Sequence, residues 1–544
     1  MNKPHHPNPK RKAEPQRPVS PATSAVHGQR KSRGGMTPCA ASWLTYSIGF
    51  LLIYVFFTLV YGDMIERAEQ TMYISSAPES MSYLLSEPFG RLFYYARWAM
   101  LPCKWAALGG AMLALVMTLS AMAFDRAFCL PRSLRGLGFI VPAAEVGWML
   151  YRGTNLWYKS EQSLIVLIPV TALLVLALLA AVVTLVRRFG KQTAQDTDNA
   201  KVRPWGLLAP VLLFAGLGWG AFHFNENVIL TARFKNLADK QQWETIIDEA
   251  VKAKRPTRAV AAYYAIALEE TDQLLDRVFD IPYDFPKLHL DKVDGSEEYG
   301  LFVCDCNYHC GLLNASYRTA MDYAVIAGPS LSSYKRMAIC ALLNSEKALC
   351  RKYLTLIERM PFESDFVEKY TAMLANDKLI EQDAELSHVR SLYPQEDHFE
   401  QNYMPPAFLG YNVGLGRGSD RTLVTSAAAC LYSKDLRSFI VRAQIMKQKG
   451  MRITGFMQEA IAIASLKQPE LLKMFPEVGQ FVPNQITSFL MDAKPYINDR
   501  DALRENLKAN WLGTYVYYYY TENNDPSQTI KNSEKSAGSQ AGVN

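Results

Sequence analysis

The sequence predicts an all-α protein, with five transmembrane helices followed by an α-helical solenoid domain of tetratricopeptide-like type. Three observations predict it. Apolar runs of membrane-crossing length are confined to the first 224 of 544 residues. After Asn225 the apolar residues recur with the helical period, and no stretch alternates convincingly with period two. Pro329, Pro361 and Pro394 then break the chain at intervals of 32 and 33 residues, near the tetratricopeptide period of about 34.

Charge follows the same division. Residues 1–223 carry 22 Lys/Arg against 11 Asp/Glu, and residues 224–544 carry 36 against 41. Basic residues set beside apolar runs exclude a uniformly basic nucleic-acid binder, so no nucleic-acid partner is expected. Nine cysteines exclude a disulfide-built scaffold, and 49% hydrophobic residues exclude a disordered chain.

Residues 1–41 hold eight Lys/Arg, seven Pro and one acid, Glu14, and are expected to be a disordered tail. Residues 42–224 hold the five expected spans. Ser42–Gly62 is 21 uncharged residues, enough for about 30 Å of hydrocarbon. Trp105–Phe124, Leu137–Tyr151, Ser163–Val186 and Trp205–Phe224 follow. Leu137–Tyr151 is the shortest, 15 residues with Pro142 and Glu145 inside. It reaches across if Arg152 snorkels and Trp157 and Tyr158 anchor at the interface. With five crossings, segments on the tail's side hold 16 Lys/Arg and the opposite loops 6. The positive-inside rule then puts the N-terminus in the cytoplasm and residues 225–520 outside it, in a multi-pass protein of the inner (plasma) membrane.

Within residues 225–520, Trp243, Ile246, Ile247, Ala250 and Val251 fall on one helical stripe, and Thr257–Phe279 repeats the pattern. Helix pairs are expected between the prolines. They are Ser330–Leu343 with Ser345–Arg359, and Asp365–Ala375 with Lys378–Ser391, turning at Asn344 and at Asn376 and Asp377. An irregular all-helical domain is the competing arrangement. The Tyr-rich run after Asn510 ends the fold, and residues 521–544 are expected to be a second disordered tail.

The five spans, the proline-broken helical half and the runs NLWYKSEQSL (155–164) and CNYHCGLLNASYRTAMDY (306–323) resemble an uncharacterised family of Bacteroidetes multi-pass membrane proteins with a C-terminal tetratricopeptide-like domain. That resemblance implies architecture over residues 42–520 and no activity.

Four groups of residues carry candidate chemistry. Cys304, Cys306, His309 and Cys310 are the densest set of metal donors, but C-x-C-x3-C is not the usual zinc hook and no second pair follows. A disulfide among them or with Cys340 or Cys350, or plain buried thiols, fits the spacing better. The glycine-rich stretch 410–420 lacks the Lys of a phosphate-binding loop and reads as a connector. Glu145, inside an apolar run, is either a proton or cavity group or a partner for Arg152. Asp63, Glu66 and Glu69 follow the first span. Asp63 would be the catalytic acid of a lipid-linked glycan transferase, and otherwise all three are a hydrated loop.

The expected function is a membrane-anchored helical-repeat interaction or scaffold protein of the cell envelope, without defined catalysis and without a cofactor. Its expected partners are membrane lipid and an envelope protein or peptide. An envelope glycan transferase using Asp63 is the alternative.

Overall fold

The structure, a computed structural model, describes residues 38–131, 134–152, 161–189, 205–283, 299–326, 328–393 and 419–522. Among these every regular element is a helix, as the apolar periodicity predicts. Both expected tails, apart from residues 38–41, 521 and 522, lie outside the described residues, as does the glycine-rich stretch up to Gly418.

Among the described residues, three helices are long and apolar enough to cross a membrane, not the five expected: Trp43–Val60, Ala106–Ala127 and Leu164–Phe189. Leu208–Phe224 qualifies only jointly with Glu226–Asp239, across a bend of 78°. Leu137–Tyr151 falls short because its regular α-helix, Ile140–Arg152, has 13 residues and spans only about 20 Å. The helices share a core that includes Phe57, Tyr61, Leu113, Met117, Phe139 and Phe214. Asp125, at the end of Ala106–Ala127, accepts hydrogen bonds from Tyr46 Oη at 2.6 Å and Gly138 N at 3.1 Å. The outer surface is apolar: only 22% of the span window in Leu164–Phe189 is buried, leaving Leu174, Val175, Leu178 and Leu185 outward.

Beyond the bend, the first proline-bounded pair forms where expected, whereas the second differs: the helix expected over Lys378–Ser391 is broken at Asp383, which is extended and caps the helix that follows. Leu331–Leu343 packs on Lys347–Glu358, which packs on Ser364–Ala375, and Lys378–Gln382 and Ala384–Leu392 follow. Ser330 caps the first, its Oγ accepting from Ser333 N at 3.1 Å. Tyr299–His309 and Leu313–Ile326 extend the row on its N-terminal side.

The row does not run through the whole domain. In a simple solenoid each repeat touches only its neighbours. Here Phe234–Tyr283 shares one core with Leu423–Tyr518, while residues 313–389 share another with Tyr73, Ile74, Met81 and Leu84. Tyr299–His309 joins the two, giving Phe302 and Cys306 to the first and Cys304 and Tyr308 to the second. The Tyr-rich run closes the first core, with Tyr515, Tyr517 and Tyr518 fully buried and Tyr518 packed on the Phe279, Tyr283 and Tyr432 rings.

The segment carrying Asp63, Glu66 and Glu69 is therefore not the hydrated loop expected. Gly62–Gln70 is a helix, and Met72 O accepts from Leu331 N at 2.9 Å. Gln70 O accepts from Ser332 Oγ at 3.0 Å, and Tyr73 Oη donates to Leu356 O at 3.0 Å. Apolar residues too sparse to read as a span thus supply part of the helical domain's core.

Candidate functional site: a basic cavity at the junction

Where Gly62–Gln70 meets Glu226–Asp239, Tyr299–His309, Leu331–Leu343 and Ser364–Ala375, the packing leaves a cavity of about 520 Å³. Its walls carry seven Lys and Arg side chains against four carboxylates. The 78° bend is what brings Glu226–Asp239 across the helical domain, so that Lys235 and Asp239, one turn apart, both face the cavity.

Asp305 organises one wall. It accepts from Lys235 Nζ at 3.1 Å, Arg336 Nη2 at 2.7 Å and Tyr263 Oη at 2.7 Å. Burial alone would raise its pKa, but Lys235 and Arg336 outweigh that and hold the carboxyl well below the usual carboxylate range. The Arg336 guanidinium lies 3.7 Å over the Tyr308 ring. Opposite, Arg67 pairs with Asp239 at 3.2 Å. Below the cavity the buried Glu363 carboxylate takes Lys104 at 2.7 Å and Lys335 at 2.6 Å.

After these bonds two donors remain. Arg67 Nε and Arg336 Nη1 are buried and have no acceptor among the described residues. A buried N–H without an acceptor costs about 1–3 kcal/mol, and both of these side chains also line the cavity.

The acids after the first apolar helix have structural partners. Asp63 Oδ1 accepts from Asn236 Nδ2 at 2.8 Å, Arg233 stands 3.7 Å away, and Asp63 does not line the cavity. Glu66 does line it, but its Oε1 accepts from Ala106 N at 3.1 Å and so caps the helix Ala106–Ala127. Burial, helped by nearby Glu363, lifts the Glu69 carboxyl to about 7. Glu145 is 7% exposed, and neither of its oxygens has a hydrogen-bond partner among the described residues.

Cys304, Cys306, His309 and Cys310 do not assemble as zinc donors. Two residues apart on a helix is about 200° of rotation, so Cys304 and Cys306 enter different cores. Cys310 packs with Leu312 and Ala315, and Cys304 and Cys306 are free thiols. His309 instead holds Glu270 Oε1 through Nδ1 at 2.7 Å. Among the described residues, three His, Cys, Asp or Glu donors converge only at Glu269, Glu270 and His388. Sequence reading missed Arg67, Lys235, Asp305 and Arg336. The sole hint was an acid, Asp305, inside the cysteine-rich helix.

Residues 148–522 match the model of a family of unknown function, DUF6057, a range that contains both runs singled out above. Searches of curated proteins and of solved structures return no match.

Proposed function

The chain belongs to DUF6057, a family of unknown function, and we propose from its geometry that it is a membrane-anchored, non-catalytic binding protein of the cell envelope. Its cavity takes the phosphate-bearing headgroup of an anionic lipid. The paired helices from Leu331 to Leu392 act as a tetratricopeptide-like surface toward an envelope protein or peptide.

The observation that carries this reading is a basic cavity lined by Arg67 and Arg336, each of which also has one buried N–H without an acceptor among the described residues. Planar guanidinium donors match phosphate oxygens. Position supports lipid as the source: Arg67 and Lys104 sit within two turns of the apolar helices Trp43–Val60 and Ala106–Ala127. The apolar outer surface of Leu164–Phe189 supports a bilayer setting, since so large an exposed patch is unusual in water. A glycan transferase using Asp63 is the weaker reading, because Asn236 and Arg233 already engage that carboxylate outside the cavity.

The test is native mass spectrometry of the detergent-purified protein with phosphatidylglycerol, phosphatidylcholine or inorganic phosphate. Preferential retention of phosphatidylglycerol, lost in Arg67→Gln and kept in Asp63→Asn, is expected. Equal retention of phosphatidylcholine, or an Arg67→Gln protein that binds as before, overturns the proposal. Retention of inorganic phosphate alone assigns the cavity to a soluble anion.

A further inference from the structure

Behind His309, away from the cavity, the helix Arg258–Glu270 ends on two consecutive carboxylates that meet a histidine from Ala384–Leu392. His388 Nε2 lies 3.2 Å from Glu269 Oε2 and 3.6 Å from Glu270 Oε2. One donor atom from each of the three residues lies within 4.8 Å of the others. Two donors each about 2.1 Å from a tetrahedral ion stand roughly 3.4 Å apart, a separation that the two observed distances bracket.

Two further observations point to a ligand. Glu269 is 5% exposed, yet its Oε1 is buried with no hydrogen-bond partner among the described residues. Glu269 also borders a second cavity, of about 180 Å³, whose wall carries Asp272 and Asp276 together with Arg421 and Arg452.

We propose that Glu269, Glu270 and His388 bind a divalent first-row transition-metal ion, with zinc or manganese as the chemical type. Two carboxylates and an imidazole suit such ions, and three donors are too few for calcium, which takes six to eight oxygens. His309 serves as the outer group that fixes Glu270 by holding its other oxygen, Oε1. Arg421 is the competing cation. Its Nη1 contacts the His388 ring and lies 3.8 Å from Glu269 Oε1, while its Nε donates to Asp272 Oδ1 at 3.0 Å. Metal binding moves Nη1 off His388 and leaves the Asp272 contact in place.

The experiment titrates zinc into chelator-treated full-length protein in detergent, by calorimetry and by thermal unfolding, with magnesium in parallel. One saturable zinc site is expected, unmatched by magnesium. It should weaken by more than about 100-fold in Glu269→Gln and in His388→Gln, beyond the 10–100-fold scale of losing an outer partner. Arg421→Ala loses the competing cation, so it should bind zinc at least as tightly and show the larger zinc-dependent rise in Tm. That variant keeps the test decisive should Glu269→Gln fail to fold. Zinc uptake unchanged in His388→Gln would place the metal away from this cluster and overturn the proposal. So would an Arg421→Ala protein whose Tm zinc does not raise, for the cluster would then be an ion-pair network alone.

Discussion

Lys104 and Glu363, 259 residues apart in the chain, meet at 2.7 Å directly before the apolar helix Ala106–Ala127 begins. The pair ties the stretch 63–104 to the helical domain, and the shared core of Tyr73, Ile74, Met81 and Leu84 with residues 313–389 does the same. Two segments that share a core lie on one side of a membrane. In the membrane reading proposed above, the chain between Lys104 and Asn225 therefore crosses an even number of times.

The first prediction is about sidedness. Reporters fused after Ser86 and after Asn225 should be active in the same compartment, and one fused after Leu134 in the opposite one. On the five-crossing expectation, the 16-to-6 distribution of basic residues would put the first two outside the cytoplasm. Opposite sidedness for Ser86 and Asn225 would mean that the shared core does not form in the membrane.

Asp305 supplies the second. Its carboxylate neutralises Lys235 and Arg336 in a buried setting, and removing one partner of such a group typically costs about 3–5 kcal/mol. Asp305→Ala should lose stability on that scale in chemical unfolding. Because the folded pKa is depressed, the stability Asp305 contributes is fully present above about pH 4, its unfolded value, and is lost as pH falls toward the folded value. The acid limb of the stability profile should flatten in the variant.

Glu459 behaves in the opposite sense. Burial lifts its carboxyl to about 7, although Val516 N donates to it at 2.9 Å. The folded chain thus binds this proton more tightly than the unfolded chain does. Stability is highest below about pH 4.5 and declines as pH rises through 7, by on the order of 3 kcal/mol. Glu459→Gln keeps an acceptor for Val516 and removes the charge. It should match the parent near pH 4.5 and exceed it at pH 8, measured by denaturant unfolding at each pH.

These residues also mark how far the sequence could be read. The helix pairs between Pro329 and Pro394 were legible because period and breaker are local properties, and, the break at Asp383 apart, the structure ends those helices within a few residues of the expected points. Asp305's partners were not. Lys235, Tyr263 and Arg336 lie 70, 42 and 31 residues away, and nothing in their local pattern says that they converge. The segment carrying Asp63, Glu66 and Glu69 misled for a related reason. Its charges look hydrated in sequence, while the groups that bury Arg67 and Glu69 come from other parts of the chain. Cys304 and Cys306, two residues apart, turn to different cores by helix geometry, which spacing alone does not reveal, and His309 faces the Glu270 carboxylate.

The last prediction uses two glycines that share a backbone conformation and differ in their surroundings. Gly311, in the turn between Tyr299–His309 and Leu313–Ile326, has φ +74°, and Gly450 has φ +73°. A Cβ at either position meets the left-handed penalty, about 1–2 kcal/mol for an L-residue. At Gly450 that is the whole cost, because no heavy atom lies within 4 Å of the added carbon. At Gly311 the same carbon would stand 2.6 Å from the carbonyl carbon of Leu392, a backbone atom that cannot rotate away. Relief requires the turn to move off the end of Ala384–Leu392, the helix that carries His388. Gly450→Ala should therefore lose about 1 kcal/mol, and Gly311→Ala clearly more, in paired denaturant unfolding of the full-length protein. Equal losses would mean that the turn at Gly311 is not seated against Leu392, and the packing of Ala384–Leu392 on Tyr299–His309 would have to be redrawn.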